Sequence, residues 1–114
     1  MPPPRENERL DGIFAALADP TRREILEHLR SGEASVSAIA EPFAMSLPAV
    51  AKHLRVLERA GLVRHSKAGR VRTCRLAAAP LERAEAWLAP YRTFWERRLD
   101  ALDAHLRRTI RKEG

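Results

Sequence analysis

SLPAVAKHLRVLERAGLVRHSKAGRVRTCRL, residues 46–76, carries eight Lys and Arg but a single acid, Glu58. The other 83 residues hold thirteen basic and fourteen acidic side chains, so the excess positive charge of the chain sits in these thirty-one positions. A surface built only for solubility mixes both signs around the body, whereas charge gathered on one short region points to a polyanionic partner.

Two periodicities divide the stretch. Ser46 is a natural N-cap, and Leu47, Val50, Leu54 and Leu57 follow at i, i+3, i+7 and i+10, which predicts the buried stripe of a helix ended by Gly61. At about 100° per residue, Pro48, Lys52, Arg55 and Arg59 lie nearly opposite that stripe, with Ala49, His53 and Val56 on its flanks. The outward face is therefore cationic, and slim at its start, which lets a helix sit deep in a major groove. His53 reads as a groove-side or phosphate contact or, equally, as a structural histidine.

After Gly61 the period changes. LVRHSK (62–67) and RVRTCRL (70–76), joined across Ala68-Gly69, predict a hairpin decorated by Arg64, Lys67, Arg70, Arg72 and Arg75. A charged hairpin directly behind a charged helix is the layout of a winged helix-turn-helix, in which the helix enters the groove and the wing touches the backbone beside it. The competing reading is a solvated hairpin whose cations block edge pairing.

Upstream, Leu10, Ile13, Phe14 and Leu17 predict a first short helix that stops before Asp19-Pro20. Asp19 can cap a second helix with Pro20 at its first position, Ile25, Leu26 and Leu29 on one side, and Gly32 beyond its end. Ser35 can cap a third, bearing Val36, Ile39 and Ala40, which Pro42 should shorten. Downstream, Leu81, Ala84, Leu88, Tyr91, Trp95, Leu99, Leu102 and Leu106 step by three or four, widened by Trp87, Phe94 and Ile110. Pro90 either kinks one helix or opens a second. This element holds both tryptophans and the only tyrosine, more apolar area than a short domain covers by itself. A second copy of the chain is the economical partner, because a two-fold dimer presents two reading helices to a pseudo-palindromic site. Folding back onto the first helix is the alternative.

At 114 residues the chain is expected to form one mainly helical domain with a small β-hairpin. Residues 1–8 read as a disordered arm, 9–78 as the winged helix-turn-helix core, and 79–111 as the C-terminal dimerisation helix or helices. Cys74 stands alone, which excludes an intramolecular disulfide and suits a reducing cytoplasm. The start MPPPRENERL lacks an apolar segment, and no window approaches the ~18 apolar residues of a membrane span. A soluble, cytoplasmic protein without a cofactor is expected.

ALADPTRREILEHL (16–29), IAEPFAMSLPAVAKHLRVLERAGLV (39–63), the GR-containing wing and YRTFWERRLDAL (91–102) resemble ArsR-type winged-helix repressors, particularly their metal-independent branch of small autorepressors. The likeness covers roughly residues 9–106. It implies that the helix from Ser46 to Ala60 reads DNA, that the hairpin is the wing, and that the terminal helices form the dimer. The DNA-binding residues expected are Ser46, Pro48, Ala49, Lys52, His53, Arg55, Arg64, Lys67, Arg70 and Arg72. The dimer residues expected are Leu10, Phe14, Leu88, Tyr91, Trp95, Leu99 and Leu102.

The founding members of that family sense metals. At the positions of their paired third-helix cysteines this sequence has Ser35 and Ser37, whose hydroxyls are poor ligands for soft metals. Asp103-Ala104-His105 matches half of a second family motif, whose His and Glu partners are not found. No metal site is expected. Cys74 among arginines raises the option of a redox switch, against the simpler reading as a small buried hydrophobe.

Three function classes compete. A DNA-binding repressor uses the concentrated charge, and a response to a small molecule or to oxidation of Cys74 is a variant of it. A winged-helix module that binds protein has no need of +7 on helix and wing. A nuclease would want clustered carboxylates where the basic stretch has only Glu58, and no phosphate loop or nucleophile motif is present, so an enzyme is not expected.

Overall fold

The computed structural model describes residues 5–113. Its elements run α1 (Glu6–Leu17), α2 (Pro20–Leu29), β1 (Ala34–Ser35), α3 (Val36–Ala40), α4 (Leu47–Arg59), β2 (Val63–Ala68), β3 (Val71–Leu76) and α5 (Ala79–Glu113). The architecture is mainly helical, with a three-stranded antiparallel sheet ordered β1-β3-β2.

Local capping chemistry sets most of the boundaries. Asp19 Oδ2 accepts from Arg22 N at 3.0 Å, Ser35 Oγ from Ala38 N at 3.1 Å, and Ser46 Oγ from Ala49 N at 3.3 Å, so each helix start has one orphan amide satisfied. Pro42 limits α3, whose C-cap is Glu41. Gly61, at φ +77°, takes the left-handed conformation that ends α4, and its bare Cα lets Pro80 approach to where a Cβ would meet Pro80 Cγ at 3.3 Å.

The chain divides into two compact units, up to Ala84 and from Glu85 onward. The first is built on one core that includes Ile13 and Ala16 of α1, Ile25 and Leu29 of α2, Ile39 of α3, Val50, Leu54 and Leu57 of α4, and Leu62, Val63 and Cys74 from the hairpin region. Burying each of the larger aliphatic side chains contributes about 1.5–3 kcal/mol. The first six residues of α5, Pro80 and Ala84 among them, belong to this unit, so the unit runs past the boundary at 78 that the sequence suggests. The second unit is the remainder of α5, in which Pro90 lies inside a single helix. Its rings stack locally, with Trp87 and Tyr91 centroids 5.1 Å apart and Arg98 lying 4.4 Å over Phe94.

Several sequence expectations need correction. The arm expected over 1–8 includes Glu6, Asn7 and Glu8, which are helical; Arg5 N donates to Glu8 Oε2 at 3.3 Å and starts α1 early. The rest of the expected arm lies outside the described residues. Leu47, read as the first core position of α4, is 52% exposed. The hairpin turn is Gly69-Arg70, because Ala68 pairs with Val71 inside the ladder. β1, which the sequence does not announce, pairs Ala34 with Cys74 and Ser35 with Thr73. Among the described residues no helix is long and apolar enough to cross a membrane.

Candidate nucleic-acid interface

α3 and α4 form the helix pair, and α4 leads through Gly61 directly into the hairpin. Along α4 the core stripe of Val50, Leu54 and Leu57 forces the opposite side outward. Pro48, Lys52, Arg55 and Arg59 are exposed there, while Ala49, His53 and Val56 are half-buried on the flanks. Ser46, at the head of this face, is also exposed. Its oxygen accepts the Ala49 amide, which leaves its hydroxyl proton free to donate outward.

On the wing, Arg64, Lys67, Arg70 and Arg72 are all exposed. The register sets Lys67 opposite Arg72 and Arg64 opposite Arg75. Like charges directly across a ladder destabilise a hairpin, so stability alone does not account for this arrangement; a polyanion would compensate it.

Three residues outside the expected set organise the interface. Arg22 donates through Nε to Ala16 O at 2.7 Å and through Nη2 to Ala15 O at 3.1 Å, closing the C-terminal end of α1. Its Nη1 lies 3.3 Å from His53 Nδ1, and Asp19 Oδ2 is 3.8 Å from the same ring nitrogen. The Arg22 amide is the main reason the Asp19 carboxyl is held below its usual range, with the Arg22 and His53 charges adding to the effect against partial burial. His53 is thus a half-buried link between α4 and the α1–α2 corner, which supports its structural reading.

Glu58 and His65 are the other two. His65 Nδ1 lies 2.8 Å from Glu58 Oε1, and Arg72 Nη2 is 4.0 Å from that oxygen and 3.5 Å from His65 Nε2. The lone acid of the basic stretch therefore fastens the wing to α4 and engages Arg72, one of the expected DNA contacts. Its isolation among eight cations was the sequence signal for such a role. Arg22 offered no comparable signal, since its partners lie six, seven and thirty-one residues away.

Cys74 is 1% exposed, and burial, reinforced by the nearby Glu58 charge, pushes its thiol up despite Arg72. That is the environment of a small buried hydrophobe, opposite to the electropositive, accessible setting of a reactive thiol. Of the expected dimer residues, Leu10 and Phe14 are half-buried, with Phe14 packed against the core, whereas Leu88, Tyr91, Trp95, Leu99 and Leu102 are exposed. Ser35 is half-buried and engaged as a cap, and Ser37 is exposed. Asp103 Oδ2 pairs with Arg107 Nε at 3.1 Å.

Comparison with known proteins agrees with this geometry. A helix-turn-helix domain family matches residues 17–66, from the end of α1 into β2. Over 79 residues the chain is 32% identical to the transcriptional repressor SdpR of Bacillus subtilis (strain 168), covering 69% of this chain and 88% of that protein. The crystal structure of an ArsR family transcriptional regulator is similar with a TM-score of 0.73 at 51% identity, covering 79% of this chain and 93% of the other. The homodimeric winged helix-turn-helix DNA-binding domain from Mycobacterium bovis, solved by NMR in solution, gives a TM-score of 0.61 at 27% identity, covering 83% and 85%. The protein belongs to the ArsR family of winged helix-turn-helix transcriptional regulators.

Proposed function

We propose that this regulator is a homodimeric repressor that occupies a pseudo-palindromic operator in cytoplasmic double-stranded DNA and responds to no metal. The observation that carries the reading is the uncompensated charge of α4 and wing: among the described residues Lys52, Arg55, Lys67 and Arg70 have no acidic partner, and the wing sets like charges face to face. Ser46, Pro48 and Ala49 form the slim leading end of α4, suited to close approach to base edges, with Lys52 and Arg55 behind them and His53 on the flank. Lys67 and Arg70 at the hairpin tip contact backbone phosphate, with Arg72 beside them. Arg64, at the root of the hairpin, has the weakest claim in this set.

Dimerisation through α5 is supported by the exposed row of Leu88, Tyr91, Trp95, Leu99 and Leu102, and by the homodimeric Mycobacterium bovis relative. Repression is supported by the likeness to SdpR. Metal independence is supported by the hydroxyls at Ser35 and Ser37, poor ligands for soft metals.

The test is duplex binding as a function of salt. If six to eight phosphates per dimer are contacted, log K against log salt slopes at roughly −5 to −7. Lys52→Ala and Arg55→Ala weaken binding without unfolding the protein, and Arg70→Ala weakens all sequences evenly. A flat salt response rejects the reading, as does unchanged affinity in all three variants.

A further inference from the structure

A cleft of about 400 Å³ opens in the first unit where α1, the end of α4, the root of β2 and the first turn of α5 meet. Each of these four elements contributes one arginine to its lining: Arg9, Arg59, Arg64 and Arg83. Glu8 is the only acid in the lining, and its carboxylate accepts the Arg5 amide at the start of α1. Arg83 Nε comes within 3.9 Å of Glu6 Oε1, whereas among the described residues Arg9, Arg59 and Arg64 have no acidic partner.

Four arginines from four elements line one concavity, and all four are exposed, so their like charges repel through a partly screening solvent. Arg64 bears a second like-charge contact, with Arg75 directly across the ladder. Between the arginines Gly12 leaves open space, with nothing within 4 Å of where a Cβ would stand, while Gly61 is covered by Pro80. The volume lies within the range of small-ligand sites, roughly 300–1,000 Å³. Guanidinium forks match the paired oxygens of carboxylate and phosphate.

We infer that this cleft is a binding site for a small, multiply charged oxyanion of the phosphate or polycarboxylate class. It adjoins the cationic face assigned to DNA and shares Arg59 and Arg64 with it, at the end remote from the residues that enter the groove. Arg59 is the last residue of α4, about 18 Å by helical rise from Leu47 at its leading end. Arg64 lies at the root of the hairpin, remote in register from the Gly69-Arg70 turn. The assignment does not rest on the DNA reading, and its test contains no DNA.

The experiment is calorimetric titration of the full chain with inorganic pyrophosphate and, separately, with citrate, at ionic strength held constant by sodium chloride. One saturable site per chain is expected for at least one probe, and which of them binds identifies a phosphate-bearing or a carboxylate ligand. Arg59→Gln and Arg83→Gln each weaken it about tenfold, the scale of one lost charge-assisted contact. Arg30→Gln, which removes the same charge outside the cleft, leaves it unchanged. Thermal melts confirm that the variants fold, and Arg9→Gln replaces either one that does not. Absence of saturable binding by both probes overturns the site, and so does equal weakening by Arg30→Gln. Binding that survives the cleft variants but is lost in Lys52→Gln places the anion on α4 and overturns it as well.

Discussion

His65 Nδ1 sits 2.8 Å from Glu58 Oε1, so the wing is tied to the flank of the helix it follows. The contact spans the Gly61 corner and joins the two cationic surfaces. Glu58→Gln and His65→Gln should therefore be non-additive, with a coupling of about 0.5–1 kcal/mol in a double-mutant cycle, as suits a partly exposed charged hydrogen bond. Urea denaturation of the four proteins measures it. Strict additivity would mean that the contact contributes nothing to the fold.

Arg22 closes the end of α1 and meets His53 on α4 with one guanidinium. Lysine at this position keeps the charge but loses the fork, and cannot serve both carbonyls and the imidazole together. Arg22→Lys is expected to lower stability by about 1–3 kcal/mol, because carbonyl acceptors are left without a partner. Chemical denaturation reads this directly, and a loss below a few tenths would show that water replaces the guanidinium.

Asp19 supplies a pH dependence of known sign. Its carboxyl is held below the ordinary value near 3.8, chiefly by the Arg22 amide, so the unfolded chain takes up the proton first. Its contribution is complete above that ordinary value and is lost as pH falls through the lowered folded one. Asp19→Ala should lower the melting temperature at neutral pH and narrow the gap to wild type under acid conditions. A gap that widens as pH falls would contradict the assignment.

Cys74 should be inert in the native protein. With its thiol buried and pushed up, modification by an aromatic disulfide reagent is expected to proceed only as fast as the protein opens, and to accelerate in urea. The folded state resists losing that proton, so its contribution to stability is present below the unfolded thiol's value and falls as pH rises beyond it. Rapid, stoichiometric reaction of folded protein would restore Cys74 as a candidate redox switch.

Trp95 tests the dimer. Its side chain is 43% exposed in the single chain, in a row with Tyr91, Leu99 and Leu102, and burial of such groups against a second copy is worth about 1.5–3 kcal/mol each. Trp95→Ala should shift sedimentation toward monomer and weaken operator binding together, because two linked reading helices bind at high effective concentration. A wild-type monomer at micromolar concentration that still binds a palindrome tightly would exclude the dimer model.

What the sequence determined by itself is local. The Asp19, Ser35 and Ser46 caps, the Pro42 stop, the Gly61 corner, the stripe of Val50, Leu54 and Leu57 and the cationic face opposite it are written in spacings of three or four residues, because the interactions that make them span one helical turn. The hairpin is equally legible from its change of period. Tertiary structure decided what depends on distant partners. A two-residue strand such as β1 has no period to detect, and it exists because Ala34 and Ser35 find Cys74 and Thr73 across the fold. A stripe tells which side of a helix faces inward but not how far along it the core reaches, so Leu47 is exposed while Val50 is buried. The Arg22–His53 link joins residues thirty-one apart, and the cleft arginines, spread from position 9 to 83, converge only when four elements pack. Burial, finally, favours the small-hydrophobe reading of Cys74, which its arginine neighbours left open, since desolvation outweighs the nearby positive charge.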